Sequence, residues 1–392
     1  FIGTRLNREL LIASEVKSIN NLFLDTDTIS QFQPGTWMSY DINSYKLKNY
    51  CKYYEPRYMY NTESMEKDIC KNIRNKLTEA VRKRLMSERP IGCLLSGGLD
   101  SSLISAIVAR EFKNQGKGTL NTFSIGLKDS PDLKYAQQVA DYIGSKHHTI
   151  ELTEEDFLNA IPEVIYNIES YDTTTVRASV GNYLVGKYIR ENTDITVVFN
   201  GDGSDEQSGY LYLSKAPDMF EFKRECERLL SEIHYYDVLR SDRCLLSNWS
   251  LETRAPFLDT EFVDYYMSIY PELKMYTKGT NKIEKYLLRK SFDNEHLLPS
   301  NVLWRKKEAF SDGCSSNNRS WHTIIQEHID NIISDEEFER LSHTYNINEP
   351  QMKETYYYRQ IFESYYPNRG GIIPHYWLPK WNGNKKDPSA RE

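Results

Sequence analysis

The sequence predicts an α/β fold: a parallel sheet of about five strands with helices on both faces, then a mostly helical C-terminal part. Three observations carry this. Apolar runs of strand length alternate with amphipathic stretches from residue 91 to 199. Two of those runs end directly in glycine-bearing turns, at 96–102 and 200–206. A short β-rich piece, residues 1–50, precedes the alternating region.

The chain has 392 residues, enough for more than one domain and a large core. With 39% apolar and 27% charged residues it is globular rather than disordered. A net charge of −7 argues against a nucleic-acid partner, which calls for a basic face. No run of 18 apolar residues occurs, so no membrane partner is expected. Cys51, Cys70, Cys93, Cys226, Cys244 and Cys314 are scattered and form no CxxC pair. That argues against zinc and for reduced thiols in the cytoplasm.

In chain order, Leu10–Ala13 reads as a strand leading into a helix around Glu15–Ile19. Gln33-Pro34-Gly35-Thr36 is a turn before a strand at Trp37–Tyr40. Residues 51–62 form a Tyr- and Pro-bearing linker, and 63–392 a second domain. Its first helix spans 63–86, with Met65, Ile69, Ile73, Leu77, Val81 and Leu85 at four-residue spacing. Strands follow at 91–95, 120–125, 147–152 and 195–199, and helices at 101–113, 132–143, 154–168 and 178–191. Further helices are expected at Tyr235–Arg243 and Tyr356–Phe362, the aromatics of the latter in the core. His147 and His148 sit at a strand start and receive no catalytic role.

The first turn, Ser96-Gly97-Gly98-Leu99-Asp100-Ser101-Ser102, joins strand to helix. Adjacent glycines let backbone N–H groups converge, and the new helix offers unpaired donors and its positive dipole end. That is a concavity for phosphate. Asp100 at its rim suggests a bridging divalent cation. No lysine follows the glycines, so the Walker pattern is absent. The second turn, Asn200-Gly201-Asp202-Gly203-Ser204-Asp205-Glu206, again pairs glycines with acids that offer a metal ligand or a base. In a parallel sheet, ligands bind beyond the carboxyl ends of the strands, where both turns fall.

Further segments point the same way: FSIGLKDSPDLKYAQQVADYIGS at 123–145, YDTTTVRASVGNYL at 171–184, LETRAPFLD at 251–259, KYLLRKSF at 285–292, LWRKKEAFSDG at 303–313, HYWLPKW at 375–381 and DPSAR at 387–391. With LLSGGLDSSL at 94–103, they make the chain resemble the synthetase half of the glutamine-hydrolysing asparagine synthetases, a PP-loop ATP-pyrophosphatase family. The SPDL and HYWLPKW pieces resemble eukaryotic or large-virus members more than typical bacterial ones.

The resemblance implies an adenine nucleotide alpha hydrolase-like sheet. It implies ligation of aspartate to ammonia through β-aspartyl-AMP, with ATP and Mg²⁺ and release of AMP and pyrophosphate. Leu95 and Ile125 would line the adenine and ribose pocket, and Ser96, Gly97, Gly98, Ser101 and Ser102 would cradle pyrophosphate. Asp100 and Asp205 would hold Mg²⁺, while Asn200 and Gly201 would contact AMP through backbone. Thr174, Thr175, Asp237 and Arg240 would form the substrate and pyrophosphate pocket. Asp202, Lys307 and Arg177 would be catalytic, and Arg254 and Asp259 structural. The chain departs from the family pattern at Asn200-Gly201-Asp202-Gly203, where Ser-Gly-Glu-Gly is usual, and Asp202 is one methylene shorter. Residues 1–50 resemble only the end of the glutaminase half, so free ammonia rather than glutamine is expected to serve this chain, and a homodimer belongs to the longer protein. Another amide- or β-lactam-forming ligase of the same fold, or a non-catalytic nucleotide-binding relative, are the alternatives.

Overall fold

The computed structural model describes residues 1–4, 10–22, 28–60, 65–276, 282–308, 313–316, 319–381, 383 and 385–389. The end of the linker and helix start at 61–64, the AFSD part of EAFSDG, and Ala390-Arg391 of DPSAR lie outside them.

Residues 1–52 form two antiparallel pieces. Strand β1 (Ile2–Thr4) lies between β2 (Leu10–Ile12) and β3 (Thr28–Ser30), and β4 (Thr36–Asp41) pairs with β5 (Lys46–Lys52) in a separate hairpin. The helix expected near Glu15–Ile19 is a single 3-10 turn, Val16–Ser18. Its exposed amides are capped from far away. Glu169 accepts from Val16 N–H at 2.9 Å and Lys17 N–H at 2.7 Å, which ties this piece to the main body.

Helix α1 (Glu66–Lys83) follows the linker. Ile69, Ile73, Leu77, Val81 and Leu85 are buried as their spacing predicts, whereas Met65 lies before the helix and is exposed. The central sheet is parallel throughout, in the order β10-β9-β6-β7-β8, with β6 (Ile91–Leu94), β7 (Asn121–Leu127), β8 (Lys146–Leu152), β9 (Val197–Phe199) and β10 (Glu252–Arg254). The edge strand β10 is the one the sequence did not reveal. Successive residues of β9 face opposite ways: Val197 and Phe199 join the core with α1 and α2 (Leu99–Asn114), and Val198 joins the core on the other side. Helix α3 (Pro131–Ile143) shares the first core, and α4 (Glu154–Ile168) and α5 (Thr173–Asn192) the second.

Two helical expectations change. Helix α5 begins five residues earlier than predicted, because Asp172 caps it by accepting from Thr175 N–H at 2.8 Å. That cap overrides the low helix propensity of the β-branched Thr173-Thr174-Thr175-Val176 run. The segment 235–243 is not one helix: a 3-10 turn at Ile233–Tyr235 is followed by a short turn at Leu239–Ser241 and a π-type stretch at Asp242–Ser247. The helix expected at Tyr356–Phe362 spans Lys353–Tyr365, with Tyr356, Tyr358 and Phe362 buried.

His147, on β8, bridges strands. Its ring nitrogens lie 2.9 Å from the Thr122 hydroxyl and 3.0 Å from that of Ser124. Burial, with His148 adding, lowers its pKa to about 4. The unfolded histidine, near pKa 6.5, binds a proton that the folded one refuses, so stability present above pH 6.5 is lost as pH falls through 4. The loss comes to about 2 kcal/mol after allowance for partial exposure. Urea unfolding at pH 7 and 4.5 checks this: His147→Gln should flatten the slope, and equal slopes in the two proteins would contradict it.

Candidate functional site

The turns that end β6 and β9 lie side by side, since these strands are hydrogen-bonded neighbours with Cys93 opposite Phe199. From β6 the chain proceeds to β7 and β8 on one side, while β9 and β10 lie on the other, so the turns flank the point where the strand order reverses. A cavity of about 490 Å³ opens there.

Gly97 has φ +76°, and a Cβ on it would sit 2.6 Å from the Ala136 nitrogen and 2.7 Å from the Asp132 carbonyl oxygen. Glycine is therefore required by both backbone conformation and space. Gly98 caps α2, whose amino end faces the cavity. The turn satisfies its own donors: Ser96 N–H donates to the Ser101 hydroxyl at 3.0 Å, and the two serine hydroxyls are 2.9 Å apart. Both serines line the cavity, so these contacts can be exchanged for phosphate oxygens. A Cβ on Gly201 would lie 2.9 Å from the Asp100 Cβ, so the second turn touches the first.

Charge links the turns. Lys285 Nζ lies 2.5 Å from Asp100 Oδ2 and 2.5 Å from Asp205 Oδ1, and Lys307 Nζ lies 2.6 Å from Asp205 Oδ2. Ser204 donates to the other Asp100 oxygen at 2.8 Å. Burial opposes ionisation of Asp205, but Lys285 and Lys307 outweigh it and hold its carboxyl well below the usual range. Burial works against the Lys285 ammonium, and Asp100 and Asp205 overcome it, so its pKa is raised.

A second cluster surrounds Asp202. Arg240 donates to Oδ1 from Nε at 3.0 Å and from a terminal nitrogen at 2.9 Å. Asn200 Nδ2 donates to Oδ2 at 2.8 Å, as does the Ser241 hydroxyl. Both carboxylate oxygens are thus committed to donors of the protein. Beside it, the Tyr210 hydroxyl lies 2.8 Å from Asp237 Oδ1 and 3.2 Å from Glu206 Oε1. Its single proton cannot serve both carboxyls at once. Burial, then Asp237 and Asp205, push the Glu206 carboxyl far up; burial also raises Asp237 against the pull of Arg240 and Tyr210. Burial and like charge thus work against full ionisation of this cluster, whose Asp237 and Tyr210 line the cavity.

On the opposite wall, Arg177 on α5 donates to Glu354 at 2.7 and 2.5 Å and to Asp387 at 3.0 and 3.3 Å. Burial opposes its charge, and the two carboxylates raise its pKa.

Of the residues singled out in the sequence, Leu95, Ser96, Gly98, Asp100, Ser101, Ile125, Thr174, Arg177, Asn200, Gly201, Asp202, Asp205, Asp237, Arg240 and Lys307 line this one cavity. Gly97, Ser102 and Thr175 do not. Gly97 packs on α3, Ser102 is fully buried behind the turn, and the Thr175 hydroxyl donates to Asp172 at 2.9 Å. Arg254 and Asp259 stay structural: Arg254 donates to the Met86 carbonyl at 2.7 Å, and Asp259 pairs with Arg84 at 2.7 Å. The reading of single motifs missed Lys285, Tyr210, Glu354 and Asp387. Lys285 and Asp387 stand in the KYLLRKSF and DPSAR segments, but neither segment says which residues its charges meet.

Six cysteines are free, and no group of three or more His, Cys, Asp or Glu side chains suited to a metal occurs among the described residues. Among them, too, no helix is long and apolar enough to cross a membrane.

The asparagine synthase family matches residues 72–221 and 215–384. "Asparagine synthetase [glutamine-hydrolyzing]" of Gallus gallus is 52% identical over 322 residues, covering 82% of this chain and 56% of that protein. The Cricetulus griseus and Homo sapiens proteins of the same description are 51% and 49% identical over the same shares. The chain spans about half the length of these curated relatives. Among solved structures, an NMN synthetase from Francisella tularensis aligns with a TM-score of 0.31 and 12% identity over 78% of this chain and 97% of that one, too slight a likeness to carry weight.

Gly97→Ala should lower stability by about 2 kcal/mol through strain and displacement of α3. Thermal unfolding checks this; an unchanged midpoint would contradict the close approach at that turn.

Proposed function

Because the chain belongs to the asparagine synthase family, we propose that it adenylates the side-chain carboxylate of aspartate with ATP and joins the product to ammonia, giving asparagine, AMP and pyrophosphate. The observation that carries this reading is the pair of touching turns, Ser96–Ser102 and Asn200–Glu206, bridged by Lys285 at the mouth of the cavity.

A carboxylate is a poor acyl donor, and adenylation gives it a good leaving group. Negative charge then builds on the α-phosphate and on departing pyrophosphate, so donors and cations have to be in place beforehand. Ser96, Gly98, Ser101 and the amino end of α2 supply neutral donors. Lys285 and Lys307 supply charge on the same side, each anchored by an acid of the turns. Leu95 and Ile125 give the apolar wall for adenine. Arg240, gripped by Asp202, and Asp237 stand where the amino acid and ammonia would meet. Asp202 serves that step as a positioning group, since both its oxygens hold other side chains.

The donor set fits Mg²⁺. Asp100 and Asp205 already converge on one cation, Lys285, and both are hard oxygen ligands. These two carboxylates would hold Mg²⁺ in place of their contact with the Lys285 ammonium, and the metal would supply further neutralisation of phosphate charge. Residues 1–50 are, in this reading, the end of an amidotransferase domain, residues 51–62 a linker, and a cytoplasmic location and a homodimer belong to the longer protein. Ammonia is the nitrogen nucleophile in this proposal.

Mixing the protein with Mg-ATP, L-aspartate and an ammonium salt should yield aspartate-dependent pyrophosphate, AMP and asparagine. Lys307→Ala should lower kcat/KM by about 100-fold. ATP binding in calorimetry without pyrophosphate from aspartate would overturn the proposal, and pyrophosphate from other carboxylic acids only would point to a different ligase.

A further inference from the structure

Arg177 is one cation facing two carboxylates, and the two are not equivalent. Glu354 sits on the helix Lys353–Tyr365, its side chain is 1% exposed, and the Tyr358 hydroxyl donates to it at 3.0 Å. Asp387 sits in an irregular segment, and its side chain is 31% exposed. Gln326 Nε2 donates to Asp387 at 2.7 Å and to Glu354 at 3.4 Å, which closes a ring of four side chains. The segment carrying Asp387 is part of the cavity wall: Pro388 and Ser389 line the cavity beside Arg177, and Pro388 is buried.

The charge count decides what this ring can do. Two carboxylates on one guanidinium occupy both of its edges, so Arg177 itself has no free edge for another anion. A third anion cannot reach Arg177 while both carboxylates remain. Glu354 is fixed by burial and by its helix, so Asp387 is the partner that can leave. Burial pushes its carboxyl up, but the hydrogen bond and charge of Arg177 outweigh this and hold it at about 2, so it is ionised at any working pH. It therefore presents to Arg177 the same chemical group, a carboxylate, that an amino-acid substrate carries.

We propose that the Arg177 edge facing Asp387 is an anion-receiving position that the chain fills with its own segment 385–389, and that a ligand carboxylate or phosphate takes this position by displacing Asp387. The segment is then a latch, closed on the empty site and released by the anion that replaces it. Only the kinetic part of the test below rests on the function proposed above.

Hydrogen–deuterium exchange on the full chain reads the latch directly, because Ser389 N–H donates to Asp387 Oδ1 at 2.8 Å. Aspartate alone or inorganic pyrophosphate alone should speed exchange in peptides covering 385–389. Acceleration by aspartate identifies a carboxylate as the displacing anion, acceleration by pyrophosphate a phosphate, and acceleration by neither overturns the proposal. In steady state, Asp387→Asn should lower the KM for aspartate about fivefold, as expected when a charged competitor becomes a neutral one. Asp387→Glu, which keeps the charge, should stay near the parent. A KM for aspartate that is unchanged or higher in Asp387→Asn overturns the latch. If the parent makes no aspartate-dependent pyrophosphate, the functional reading fails while the exchange measurement still judges the latch.

Discussion

Lys285 sits between Asp100 and Asp205, one acid from each glycine turn, and nearly everything at the carboxyl end of the sheet depends on that placement. The turns touch because Gly201 has no side chain, which forces their acids together. Two carboxylates sharing a buried site repel, and one is normally protonated. Here the ammonium between them keeps Asp205 ionised. Without Lys285, Asp100 would lose its ion-pair partner, whereas Lys307 would still pair with Asp205. The cation between them thus lets two acids stand side by side at the carboxyl end of the sheet.

The same logic explains how the cavity is charged overall. Several cations of the cavity wall are tethered by acids: Lys307 by Asp205, Arg240 by Asp202, Arg177 by Glu354 and Asp387. Tethering limits the rotamer freedom that ligand binding would otherwise remove, so the donors are ordered beforehand. It also leaves the cavity without a large excess of positive charge when empty. The Glu206–Tyr210–Asp237 cluster differs in kind, because burial and like charge there raise the carboxyls instead of lowering them.

Much of this was legible in the sequence wherever the determinant was local. Strand–helix alternation, the glycine turns and the acids within them are set by neighbours a few residues apart, and α1, β6, α2 and β9 lie where the pattern put them. Legibility ended with separation along the chain. Lys285 is 185 residues from Asp100, and Asp387 is 210 from Arg177. No periodicity reports a pairing over such a distance. Edge strand β10 is three residues long and pairs on one side only, so it carries little pattern of its own. At α5, local propensity gave the wrong start because the Asp172 cap decides it. At 235–243 the one helix expected from the sequence is absent, and the chain instead turns to bring Asp237 and Arg240 to the cavity wall.

The short acid at position 202 bears on how the second turn works. A carboxylate that both reaches a ligand and grips an arginine needs either length or a spare oxygen. Asp202 has neither: Oδ1 is taken by two nitrogens of Arg240, and Oδ2 by Asn200 and Ser241. Asn200 is suited to this arrangement because its amide supplies a donor from the adjacent backbone position, two residues before the acid. The pair Asn200 and Asp202 therefore acts as one unit that fixes Arg240 from below. What the turn presents at the cavity wall is then the Arg240 cation, with Asp237 beside it and Tyr210 linking Asp237 to Glu206 within reach of Lys307. The neighbouring acids Asp237 and Glu206 are governed instead by burial and like-charged neighbours, which raise both of them.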